Sequence, residues 1–151
     1  MKRISPAVVL ILLLCQLLVS SAFRQSDDIA IAVIANEKGA PASITMKELR
    51  AVLQGERQRW PDGTRISIAF MKTSTPVGAL TGRKILNISG DQLNKLWLAL
   101  VFQGKAKAPT FFNTAQEMEA YVNSTPGAIG VVDAAFATKA RVLSIDDKKS
   151  L

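Results

Sequence analysis

Apolar residues along this chain occur in two kinds of stretch. Some are short unbroken runs rich in β-branched residues, and others are longer segments in which apolar positions recur every three or four residues. The runs "IAIAVIA" (29–35), "ISIAFM" (66–71) and "AIGVV" (128–132) predict strands buried on both faces, and "RVLSI" (141–145) predicts a further short strand. The periodic segments predict helices, and each carries its own start and stop signals. In "ITMKELRAVLQG", Thr45 caps the helix, Glu48 completes a capping box and Ile44 staples onto Leu49. Met46, Leu49, Val52 and Leu53 then share one face, and Gly55 closes the helix.

Thr75 before Pro76 has the form of an N-cap followed by proline at the first helical position, so a second helix is expected from there toward Asn87. Gly78 and Gly82 each weaken it by about 1 kcal/mol relative to alanine. "ISGDQLNKLWLALVFQG" repeats the grammar of the first helix, with Ser89 as cap, Gln92 in the box, Ile88 stapled to Leu93 and Gly104 at the end. Its stripe of Leu93, Leu96, Trp97, Leu100 and Val101 is expected to be buried. A fourth helix starts with Thr114 and Glu117 as a capping box, buries Met118 and Tyr121 or Val122, and stops before Pro126. The polar tail "DDKKSL" reads as a frayed end. Strands interleaved with helices predict an α/β fold: a single three-layer domain with a mixed sheet flanked by helices.

The first residues stand outside this pattern. "MKR" followed by "AVVLILLLCQLLV" is a basic segment leading an apolar one, and Ser20, Ser21 and Ala22 supply small residues for cleavage after Ala22. The segment 1–22 is therefore expected to be a signal peptide, with a periplasmic or secreted product. An uncleaved anchor is disfavoured because the run falls short of the ~20 residues that span a bilayer. Cys15 leaves with that peptide. Once the first 22 of the 151 residues are removed, 129 remain, enough for the one domain 23–151. That portion has neither cysteine nor histidine, so thiol nucleophiles, imidazole bases and zinc sites built on them are excluded. Ser74 has no histidine to activate it, and no carboxylate pair stands in a catalytic motif. The reading is non-enzymatic, with no catalytic residue, metal or cofactor.

Removing Lys2 and Arg3 lowers the net charge from +7 to +5, which leaves acidic partners open. The charge is scattered, however, and its densest group, "ERQRW" (56–60), contains an acid and one aromatic. Nucleic acid is not an expected partner, since its recognition needs basic residues gathered on one face beside stacking aromatics.

The order "SITMKELRAVLQGERQRWPDG", "RISIAFM", a polar turn and helix, "LNKLWLALVFQG" and "TPGAIGVVD" resembles the second lobe of periplasmic phosphate-binding proteins of the phosphate ABC transporter, over roughly residues 29–145. The resemblance implies a type II periplasmic-binding-protein fold that handles phosphate or a related oxyanion and docks on a membrane permease or another envelope protein. The resemblance covers the second lobe only. Where the family has an arginine, an acid and a Ser-Gly-Thr sequence, this chain has "KTSTPVG", so a second copy of the chain is one way a cleft would be completed.

That turn holds the candidate anion-binding residues Lys72, Thr73, Ser74, Thr75 and Gly78. A helix start offers unpaired amides and a partial positive charge, with Lys72 as counter-charge. Equally, Thr75 can turn its hydroxyl onto those same amides as a cap, and Pro76 removes one donor. Trp97 reads as core, Trp60 as either the core's edge or an exposed partner-binding aromatic, and Gly127 and Gly130 as requirements of backbone geometry.

Overall fold

The computed structural model describes residues 29–151. The expected signal peptide and its cleavage point near Ala22 lie outside the described residues. Among those residues no helix is long and apolar enough to cross a membrane.

Strand β1 (Ile31–Ala35) is wholly buried, and so is nearly all of β5 (Ala128–Asp133). These two form the antiparallel centre of a five-stranded mixed sheet, paired from Ile31 with Asp133 to Ala35 with Ile129. Strand β3 (Ser67–Met71) lies parallel to β5 on one side and to β4 (Thr110–Phe112) on the other, and β6 (Arg141–Val142) closes the far edge against β1. The order is therefore β4-β3-β5-β1-β6. Strands β2 (Ser43–Ile44) and β7 (Ser144–Ile145) form a separate parallel pair.

Neighbouring phenylalanines on β4 mark the two faces of the sheet. Phe111 packs at 6.0 Å from Phe70, which meets Trp97 of helix α3 (Gly90–Phe102) edge-on at 6.2 Å. Phe112 turns to the other face and packs at 5.2 Å from Tyr121 of α4 (Ala115–Ser124). The expected three-layer α/β domain is thus present, with continuous apolar strands because helices cover them from both sides.

Two of the three expected capping boxes form; at the start of α4, Thr114 Oγ1 accepts the Glu117 N–H at 3.3 Å, with no return bond from the Glu117 side chain among the described residues. Glu48 N–H donates to Thr45 Oγ1 at 3.2 Å at the start of α1 (Met46–Leu53), and Thr45 N–H donates back to Glu48 Oε2 at 2.9 Å. Ser89 and Gln92 make the same exchange at α3. Leu49, Val52 and Leu53 are fully buried. Trp60 proves to be core: it is buried and its indole N–H donates to the Gly127 carbonyl at 2.9 Å. Gly127 has φ +76°, and a Cβ there would stand 2.2 Å from the Arg65 carbonyl oxygen; at Gly130 it would meet Met118 Sδ at 2.6 Å. Gly127 is thus required by the backbone around it, whereas the contact at Gly130 is with a flexible side chain.

Several expectations are corrected. "RVLSI" does not form one strand: the chain passes from β6 to β7 at the buried Leu143, whose amide donates to Val33 O at 2.7 Å. The short strands β2 and β4 carry no periodicity of their own and follow from pairing with distant partners. The tail is not frayed, because Leu151 and Ile31 exchange backbone hydrogen bonds at 2.8 and 3.1 Å. The second helix begins as α2 (Pro76–Leu80) but continues as a π-turn, Thr81–Leu86, ending at Asn87 with φ 58°. Gly82 lies in this segment, and a Cβ there would stand 2.8 Å from Ile88 O. Finally, only Leu93 and Trp97 of the expected α3 stripe are buried; Val101 is exposed, beside Leu98 and an 82 % exposed Phe102. The apolar content of this helix exceeds what the domain's own core covers.

A buried acid completes the architecture. Glu119, on α4, accepts the backbone amides of Thr138, Lys139 and Ala140 at 2.8, 3.0 and 3.3 Å. It holds the loop leading into β6, and such bonding is what a buried carboxylate requires.

Candidate functional site

The parallel strands β3 and β4 point their carboxyl ends at the same edge of the sheet, and each leads directly into a helix start. Ligands of open α/β sheets bind in this position, outside the carboxyl ends of the strands. At this edge Thr75 caps α2 and Thr114 caps α4. Both line a hollow of about 330 Å³, together with Pro76, Val77, Asp133 and Phe136. Its walls are largely apolar, and its one ionisable lining residue is Asp133, whose Oδ1 accepts the Ala135 amide at 2.9 Å.

The five residues read from the sequence do not all face this hollow. Thr75 does. Thr73 and Ser74 instead line a shallower depression with Ser89, Gly90 and Asp91 at the start of α3. Thr73 Oγ1 accepts the side-chain amide of Asn94 at 3.1 Å. Lys72 is exposed, and its backbone is built into the fold: its N–H donates to Phe112 O at 2.9 Å.

The amides of the helix start are mostly engaged. Thr75 N–H donates to Lys72 O at 2.8 Å, Gly78 N–H to Thr75 Oγ1 at 3.1 Å and Ala79 N–H to Thr75 O at 3.0 Å. Pro76 has no N–H, so Val77 carries the one first-turn amide to which no partner is assigned among the described residues. The Thr75 hydroxyl both accepts from Gly78 and donates to Lys72 O at 2.7 Å. Gly78 has a steric role as well, since a Cβ there would lie 2.0 Å from Lys72 O. The cap and the tight turn together account for Thr75 and Gly78, while the Lys72 ammonium and Ser74 hydroxyl project into solvent.

Sequence reading missed Asn113, Asp133 and Phe136 as neighbours of this edge. Thr114 was legible as a cap, but nothing local joins it to Thr75; the parallel pairing of β3 with β4 does so.

Comparison with solved structures gives the fold its relatives. An ABC-type phosphate transport receptor from Vibrio cholerae superposes with a TM-score of 0.62 at 13% identity, over 79% of this chain and 47% of that one. The fold of this chain is thus shared with about half of that receptor. PstS from Borrelia burgdorferi matches at TM-score 0.61 and 18% identity, covering 79% of this chain and 48% of that one. A putative phosphate ABC transporter substrate-binding protein with bound phosphate, from Clostridium perfringens, matches at 0.61 and 10% identity over 78% and 45%. This chain thus spans about half the length of the solved structures it matches. No protein-family model matches the sequence, and no curated protein matches it.

Proposed function

We propose that this chain is an exported, non-enzymatic domain of the solute-binding-protein type that takes part in handling phosphate or a related oxyanion. It does so as half of a site, with residues 1–22 removed as a signal peptide. The observation that carries the reading is the position of the Lys72–Gly78 turn: it stands at the carboxyl edge of the parallel strands in a fold shared with phosphate-binding proteins. In this reading Lys72 and Ser74 contact the anion at its rim, and Thr73, Thr75 and Gly78 shape the turn that presents them. A second surface, from a permease, an envelope protein or another copy of the chain, encloses the ion. An ion left half in water gains little from one ammonium. Affinity of the isolated domain is therefore expected near the millimolar range, about 4 kcal/mol.

A second reading is supported by the engaged donors at the turn and by the exposed Leu98, Val101 and Phe102 on α3. It makes the domain an envelope adaptor that binds a protein and no solute. An amide-shift titration with phosphate, against chloride at matched ionic strength, separates the two. The oxyanion reading expects the 74–78 amides to move first, the effect to weaken with Lys72→Ala, and the melting temperature to rise with phosphate by mass action. Shifts spread evenly over basic surfaces, or reproduced by chloride, would leave the adaptor.

A further inference from the structure

The opposite end of the sheet carries a second concavity that the turn does not explain. Strands β3 and β4 begin there, at Ser67 and Thr110, and the connection after α3 folds over their amino ends. A cavity of about 190 Å³ results. Its lining is basic at the rim, with Arg57, Arg65 and Lys107, and contains no carboxylate. The deeper wall combines the Trp97 ring with Ile66 and Ile68, and the Ser67, Thr110 and Tyr121 hydroxyls add polar groups. The densest basic stretch of the sequence supplies Arg57 and Gln58, and Gln58 Nε2 donates to the Lys105 carbonyl, tying that stretch to the connection that carries Lys107.

The three cations are not equivalent. Arg57 is neutralised by Glu48, with Nη1 at 3.2 Å from Oε1. Neither Arg65 nor Lys107 has a carboxylate partner among the described residues, so the lining carries two cations with no counter-charge of its own. An anion seated at this rim forms charge-assisted hydrogen bonds with these two side chains. The volume lies below the ~300 Å³ at which pockets for drug-sized ligands begin.

We propose that this cavity is a binding site for a small organic anion, a phosphate monoester or carboxylate joined to a compact apolar or aromatic body. The charged head lies between Arg65 and Lys107, and the body rests against Trp97 and Ile66. The site is separate from the Lys72–Gly78 turn, at the other end of β3, and does not depend on the oxyanion reading.

The test is an amide-shift titration of the full-length protein with phenyl phosphate, run beside inorganic phosphate, benzoate and neutral benzyl alcohol at fixed ionic strength. Phenyl phosphate and benzoate are expected to shift the Trp97 indole signal and the amides of 65–68 and 106–110 at lower concentration than either inorganic phosphate or benzyl alcohol does. The double substitution Arg65→Gln with Lys107→Gln is expected to weaken phenyl phosphate at least tenfold. Both side chains are exposed, so the melting temperature should hold; if it falls, Lys107→Glu alone provides the same comparison with the fold intact. The proposal is overturned if benzyl alcohol binds as well as phenyl phosphate, if the double substitution leaves affinity unchanged, or if the shifts appear only at 72–78. That last pattern would support the turn while removing the cavity, and the converse pattern would do the reverse.

Discussion

Replacing Gly78 with alanine asks whether the polar turn is held by its own backbone. The added Cβ would stand 2.0 Å from the Lys72 carbonyl oxygen, 2.6 Å from its carbon and 2.7 Å from the Met71 oxygen. All three are main-chain atoms, so no side-chain rotation relieves the contact. Ordinary van der Waals separation requires the end of β3 and the first turn of α2 to part by more than about 1 Å. The same Lys72 oxygen accepts from Thr75 N–H at 2.8 Å and from Thr75 Oγ1 at 2.7 Å, so the movement disturbs the cap as well. Overpacking strain of ~1–3 kcal/mol and a weakened cap of ~1 kcal/mol, less the ~1 kcal/mol that alanine gains over glycine in a helix, give an expected loss of about 2 kcal/mol. Urea melts measure it, with an unchanged slope showing that the same cooperative unit unfolds. Ser74→Ala, at an exposed position of the same turn, should stay within about 0.5 kcal/mol. A Gly78→Ala loss below about 1 kcal/mol would refute the steric argument. If phosphate affinity then fell while stability held, the glycine would be serving ligand access and not chain geometry.

Trp97→Ala should cost about 3–5 kcal/mol in denaturant melts, because a buried ring, its edge-on contact with Phe70 and the indole hydrogen bond to Leu53 O at 3.2 Å all go. Trp97→Phe keeps most of the packing and should cost about 1–2 kcal/mol; equal losses for the two would place the effect in the hydrogen bond alone. Thr75→Ala should lose about 1 kcal/mol by the same assay whether or not phosphate is present, since its hydroxyl caps α2 in either reading. The Thr45 amide, then the Thr45 hydroxyl and Arg57, hold the Glu48 carboxyl below its ordinary 4.5. A pKa lowered by folding contributes stability that is present above the unfolded value and lost as pH falls through the folded one. Stability measured across about pH 3 to 6 should therefore drop less on the acid side in Glu48→Gln than in the wild type, by a small margin because the pair is solvent-exposed.

What could be read from the sequence was local in its physics. A capping box spans four residues, so Thr45 with Glu48 and Ser89 with Gln92 announce their helices without help from the rest of the chain. The unbroken apolar runs that became β1, β3 and β5 could bury both faces only beneath helices, which is why the layered α/β architecture was legible. Other features depended on what the chain meets at long range. Three residues of β4 become a strand because Phe70 pairs with Phe111, and Leu143 separates β6 from β7 because its neighbours pair in different sheets. The tail is ordered through Ile31, and α3 leaves Leu98 and Phe102 exposed because periodicity marks an apolar face without saying whether this domain has anything to put against it. The site divides in the same way. "KTSTPVG" could be seen as a polar helix start, but the engagement of its hydroxyls, its separation into two depressions and its meeting with Thr114 are set by strand pairing. The gathering of Arg57, Arg65 and Lys107 around one cavity, from three separate segments, is likewise a property of the folded chain, since charge shows no periodicity until backbone topology brings it together.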